Sequence, residues 1–176
     1  MGYKEITAYK ELIITATRQV MLEVFKLLED FQESLILVGG WVPIMIIPKA
    51  KDKHVGTLDV DLVINDRSLN ETGSKTIQDI LLAIGYRHGT EPGRYFRTLE
   101  VNGKSIVVPV DFLVSEQRYM PTNEFFDITG IHAITSPGCE LSFEANEKIR
   151  IEGTLPDGSQ YEAVIKSAGI VALIVM

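Results

Sequence analysis

Asp59 and Asp61 lie two residues apart in the run Thr57-Leu-Asp-Val-Asp-Leu-Val63. In a strand, positions two apart project from the same face, so this spacing sets two carboxylates side by side. Carboxylates held that close repel one another, and a divalent cation such as Mg²⁺ or Mn²⁺ is the usual partner that makes them stable together. Acid-apolar-acid alternation also describes the wet face of an ordinary half-exposed strand. Asp is depleted in strands, however, because its side chain competes for backbone hydrogen bonds, and two in one short strand favour the metal reading. The same alternation predicts that Leu58, Val60 and Leu62 face a core.

A third carboxylate, Asp111, sits in the run 105–114, whose other members are almost all apolar. Placing a charge there is expensive unless an opposite charge meets it. Residues 94–101 and 104–114 are strand-like and are joined by Asn102-Gly103, the strongest short hairpin signal. A two-residue loop pairs 101 with 104 and, counting outward, Arg94 with Asp111. A bulge at Pro109, which cannot donate to the ladder, would shift this register by one.

Gly39-Gly40 follows the apolar strand 35–38 and precedes residues 41–47, which can open a helix. Strand, two glycines and helix suit phosphate, because glycine lets the backbone approach the ligand and the helix start supplies N–H donors. Trp41 is expected to be buried as an anchor for that helix.

Taken together, Gly39, Gly40, Asp59, Asp61 and Asp111 resemble the signature of the nucleotidyltransferase superfamily that includes DNA polymerase beta. The closest likeness is to the minimal nucleotidyltransferases of bacterial abortive-infection and toxin-antitoxin systems. It covers residues 35–114, with a longer insert at 41–58 than many members have. The resemblance implies that Asp59, Asp61 and Asp111 are catalytic and ligate two Mg²⁺ or Mn²⁺ ions. Gly39 and Gly40, with Thr57 and Arg94, are assigned to binding a nucleoside triphosphate. A nucleoside monophosphate would pass to an acceptor hydroxyl on RNA, protein or a small molecule, and pyrophosphate would leave. Two alternatives stand beside this. One is an Asp-x-Asp glycosyltransferase, and the other is a non-catalytic member of the fold that binds nucleotide or a partner.

These residues need a scaffold, and the chain can build one. With 176 residues, 45% of them apolar and 23% charged, it is read as a single α/β domain spanning 1–176, a mixed sheet flanked by helices. Helical periodicity covers residues 3–31 and 72–84. Residues 148–152 and 161–165 read as a further hairpin, and the polar stretch 48–54 as a mobile loop. Lys148, Arg150 and Lys166 are read as solvated strand-end charges. The lone Cys139 excludes an internal disulfide and fits a reducing cytoplasm, while a net charge of −7 argues against nucleic-acid binding through bulk electrostatics. His54, His88 and His132 form no metal spacing. The apolar run 168–176 is far shorter than the ~20 residues a membrane span needs. It is expected to be a buried terminal helix, a self-association surface, or the start of a helical region that continues further.

Overall fold

The computed structural model describes residues 3–47, 57–70 and 75–175. The elements are α1 (Tyr3–Leu27), β1 (Leu35–Val38), α2 (Trp41–Ile46), β2 (Val60–Ile64), α3 (Ile77–Ala83), β3 (Arg87–His88), β4 (Arg94–Val101) and β5 (Lys104–Ser115), then α4 (Thr122–Thr129), β6 (Ile134–Ser136), α5 (Leu141–Glu144), β7 (Asn146–Thr154), β8 (Gln160–Ala168) and α6 (Ile170–Val175). The strands form one open mixed sheet in the order β3-β4-β5-β2-β1-β8-β7, with β6 also paired to β5. Helices lie on both faces, as an α/β layering requires.

Strand alternation sorts the side chains into two unequal groups. Leu35 and Leu37 of β1, Val60, Leu62 and Ile64 of β2, and Val110, Phe112 and Val114 of β5 are buried in one cluster with Val20, Leu22, Val24 and Phe25 of α1 and with Leu28 just after it. This is the main core. On the other face a smaller cluster joins Ile36, Val38 and Val63 to Cys139, Ala168 and Ala172, covered by α5 and α6. Asp61 and Asp111 alternate with main-core residues, so both carboxylates emerge on this second face.

The β4–β5 hairpin has the expected register, with Val101 opposite Lys104 and Arg94 opposite Asp111, and no bulge at Pro109. Asn102 and Gly103 both take positive φ (51° and 71°), the conformation that a tight two-residue loop demands. The β7–β8 hairpin also forms, and β8 adds to β1 in parallel, pairing Ile36 with Lys166.

Several boundaries differ from the sequence reading. Helix α1 stops at Leu27, and residues 29–34 tighten into a 3-10 turn before β1. Helix α3 begins at Ile77, where Thr76 accepts from the Asp79 amide and the Asp79 carboxylate accepts in return from the Thr76 amide, a capping box that fixes the start. Residues 72–74, with which that helix was expected to open, and the proposed loop 48–54 lie outside the described residues. Leu58 is 57% exposed rather than in the core, because β2 starts only at Val60. Lys166 and Arg150 are paired, Lys166 with Glu33 at 2.8 Å and Arg150 with Glu162 at 2.6 Å. In α6 only Ala172 is buried, while Ile170, Val171, Ile174 and Val175 are exposed, so the terminal helix rests on the sheet by one narrow side. Among the described residues no helix is long and apolar enough to cross a membrane.

Candidate functional site

Three neighbouring elements bring the carboxylates together. Strands β2 and β5 run parallel with Asp61 directly beside Asp111, and the bend before β2 delivers Asp59. One oxygen from each of Asp59, Asp61 and Asp111 lies within 4.8 Å of the others. The cluster is graded in exposure, with Asp111 buried and Asp59 and Asp61 half-buried. Asp59 stands just outside the strand, so its approach to Asp61 comes from the bend at residues 58–59 and from the Thr57 hydroxyl, which donates to Asp59 Oδ1 at 2.5 Å.

The glycines close the site from the end of β1. Val38 pairs with Asp61, and Gly39 follows with φ +69°. A Cβ on Gly39 would overlap Asp61 Oδ2 and stand 2.9 Å from its Cγ, so the carboxylate rests against bare backbone. A Cβ on Gly40 would meet the Thr57 Cβ at 2.7 Å and its Oγ1 at 2.8 Å. Both positions are therefore glycine for lack of room, and Gly39 also for its left-handed backbone. Gly40 takes helical dihedrals and leads into α2, where Trp41 is buried as expected.

Arg94 meets Asp111 edge on. Its Nε donates to Asp111 Oδ1 at 2.7 Å and its Nη2 to Oδ2 at 2.8 Å, a two-pronged charge-assisted grip. The remaining Nη1 is ion-paired with Glu91, three residues earlier in the turn before β4. These bonds raise the Arg94 pKa above its ordinary value, the Asp111 hydrogen bonds contributing most. Among the described residues Asp61 has no such partner. Burial first, and then the neighbouring Asp59 and Asp111 carboxylates, push its pKa up to about 7.

Of the residues singled out in the sequence, Asp59, Asp61, Asp111, Gly39, Gly40, Thr57 and Arg94 all gather here. The guanidinium expected to bind nucleotide is, however, engaged by two carboxylates. Glu91 was missed by sequence reasoning. Its signal was an acid three residues before Arg94 in the Glu91-Pro-Gly93 turn. Asp66, also missed, does a structural job elsewhere. Buried in the 3-10 turn 66–68 that follows β2, it accepts from the Tyr119 and Met120 amides at 2.8 and 3.0 Å and ties down the segment after β5.

The donor set fits a hard divalent cation. Among the described residues it offers three carboxylates whose oxygens lie within 4.8 Å of one another, with more negative charge than Arg94 balances. No family model, no curated protein and no solved structure matches the chain.

Proposed function

We propose that the chain is a metal-dependent nucleotidyltransferase with a fold of the DNA polymerase beta kind, related to the minimal enzymes of bacterial abortive-infection and toxin-antitoxin systems. The observation that carries this reading is the convergence of Asp59, Asp61 and Asp111 beside the backbone of Gly39 and Gly40. Asp59 and Asp61 would hold two Mg²⁺ or Mn²⁺ ions, and Asp111 would share one. Bound divalent cations supply charge neutralisation on a triphosphate and a more acidic acceptor hydroxyl.

The chain's own groups account for the rest. Backbone N–H groups around Gly39 and Gly40 hold the phosphates, beside the Asp61 carboxylate and Thr57 that lie against the two glycines. Asp111 orients the acceptor hydroxyl and takes its proton. The acceptor oxygen then bonds to the α-phosphorus, the bond to the bridging oxygen breaks, and pyrophosphate leaves with that electron pair. Thr57 fixes the Asp59 carboxylate, and the acceptor is a hydroxyl on RNA, protein or a small molecule in a reducing cytoplasm.

The three-carboxylate cluster favours this reading over an Asp-x-Asp glycosyltransferase, which needs neither Asp111 nor Gly39. A non-catalytic nucleotide-binding role draws on a different observation, namely that Arg94 engages both oxygens of Asp111. Incubation with each α-labelled nucleoside triphosphate and Mg²⁺ or Mn²⁺, with RNA and protein acceptors, separates these. Label transfer that disappears in Asp61→Asn supports the transferase. Binding of nucleotide without transfer for any acceptor supports the non-catalytic role, and transfer from a nucleotide sugar supports the glycosyltransferase.

A further inference from the structure

Arg94 stands where an incoming cation would have to work. A guanidinium lying edge on to both Asp111 oxygens occupies the lone pairs that a coordinating ion uses, and its charge repels a dication. Yet it is not locked in place. Its side chain is about one-third exposed, and Nη1 is tethered separately to Glu91, whose own side chain is 58% exposed. The tether lets the guanidinium leave Asp111 without leaving the site. The donors on Nε and Nη2 then face the acidic cluster while Nη1 stays on Glu91, and that planar edge matches the geometry of phosphate oxygens.

We infer that Arg94 is a resident counter-ion for Asp111 that gives way to the divalent cation and is handed on, still anchored by Glu91, to the triphosphate. This rests on the nucleotidyltransferase reading of the same carboxylates. Arg94 is on this account a positioning residue that opposes one ligand and favours another. A residue that merely supports the fold would affect both ligands in the same direction.

The test is a pair of titrations on the full chain, one with Mn²⁺ alone followed by electron paramagnetic resonance, the other with a non-hydrolysable nucleoside triphosphate in saturating Mn²⁺ followed by calorimetry. Arg94→Gln is expected to bind Mn²⁺ alone about fivefold or more tighter, and the nucleotide about fivefold or more weaker. Arg94→Lys keeps the charge but not the two-pronged grip, so it should fall between wild type and Arg94→Gln in both titrations. It carries the test if Arg94→Gln fails to fold. Weaker Mn²⁺ binding in both variants would show that Arg94 holds Asp111 in a coordinating pose, which overturns the inference. Tighter Mn²⁺ with unchanged nucleotide affinity overturns the hand-over. The metal reading is judged separately by wild type against Asp61→Asn: if wild type takes up no Mn²⁺ at all, that reading fails and the inference with it.

Discussion

One face of the sheet is closed by the 25-residue helix α1 and holds side chains that are almost all apolar and fully buried; the other carries Asp61 and Asp111 and is only partly covered, by the short helices α5 and α6. The same strands supply both faces. Val60 and Leu62 on β2 bracket Asp61, and Val110 and Phe112 on β5 bracket Asp111, so each carboxylate is gripped by two neighbours that anchor the opposite core. The contrast teaches a division of labour within single strands. Dispersion and the hydrophobic effect on one side hold mutually repelling charges together on the other, a pairing those charges would not choose.

The strongest way to break this contrast is to hollow the supporting face. Leu62→Ala removes a fully buried side chain next to Asp61 and is expected to lower unfolding stability by about 3 kcal/mol, read by chemical denaturation. Gly39→Ala attacks the other face. Its methyl would overlap the Asp61 carboxylate on a left-handed backbone, so a loss of about 2 kcal/mol is expected, with Mn²⁺-dependent thermal stabilisation abolished. An unchanged Mn²⁺ shift in that variant would detach Gly39 from the site.

Asp61→Asn separates the faces chemically. It should remove the Mn²⁺-dependent rise in melting temperature while leaving the apo protein as stable as wild type or more so at pH 8, because one repelling charge is gone. The pH dependence of the apo protein follows from the same group. With Asp61 raised from 3.8 to about 7, the folded chain binds more protons than the unfolded one between those values. Its stabilising contribution is therefore fully present below about pH 4 and is lost as pH rises through about 7, by at most about 1.4 kcal/mol per pH unit. Asp61→Asn should flatten that slope, and saturating Mn²⁺ should reverse it. The smallest effect belongs to the uncovered part of the second face. Ile174→Lys on α6, where Ile174 is 79% exposed, should change stability by less than about 0.5 kcal/mol. If light scattering shows that this substitution dissociates an oligomer, the exposed side of α6 is a self-association surface.

Much of the site was legible in the sequence because it is written in short-range rules. Alternation placed Asp61 away from Val60 and Leu62, and Asn102-Gly103 fixed a register that carried Arg94 to Asp111. What alternation could not supply was where β2 begins, so Leu58 was assigned to a core it does not reach. The Arg94–Glu91 pairing depends on how a turn folds back, and composition says little about that. The parallel joining of β8 to β1 has no local signal at all, since neither strand carries a mark of its distant partner. The narrow seating of α6 was equally hidden, because an apolar run reads the same whether one side or all sides are covered.

That parallel joining sets the order in which the molecule can assemble. Strands β1, β2, β4 and β5, with the carboxylates and glycines on or beside them, are complete once residue 115 has been made, whereas β1 gains its second neighbour only when the much later β8 (Gln160–Ala168) arrives. Contacts so remote in sequence form late, because a long loop must close before they return any stabilisation. During synthesis the acidic cluster can thus take shape while one edge of β1 is still unpaired, and for that interval the nascent chain presents a short apolar strand open to pairing with the wrong partner.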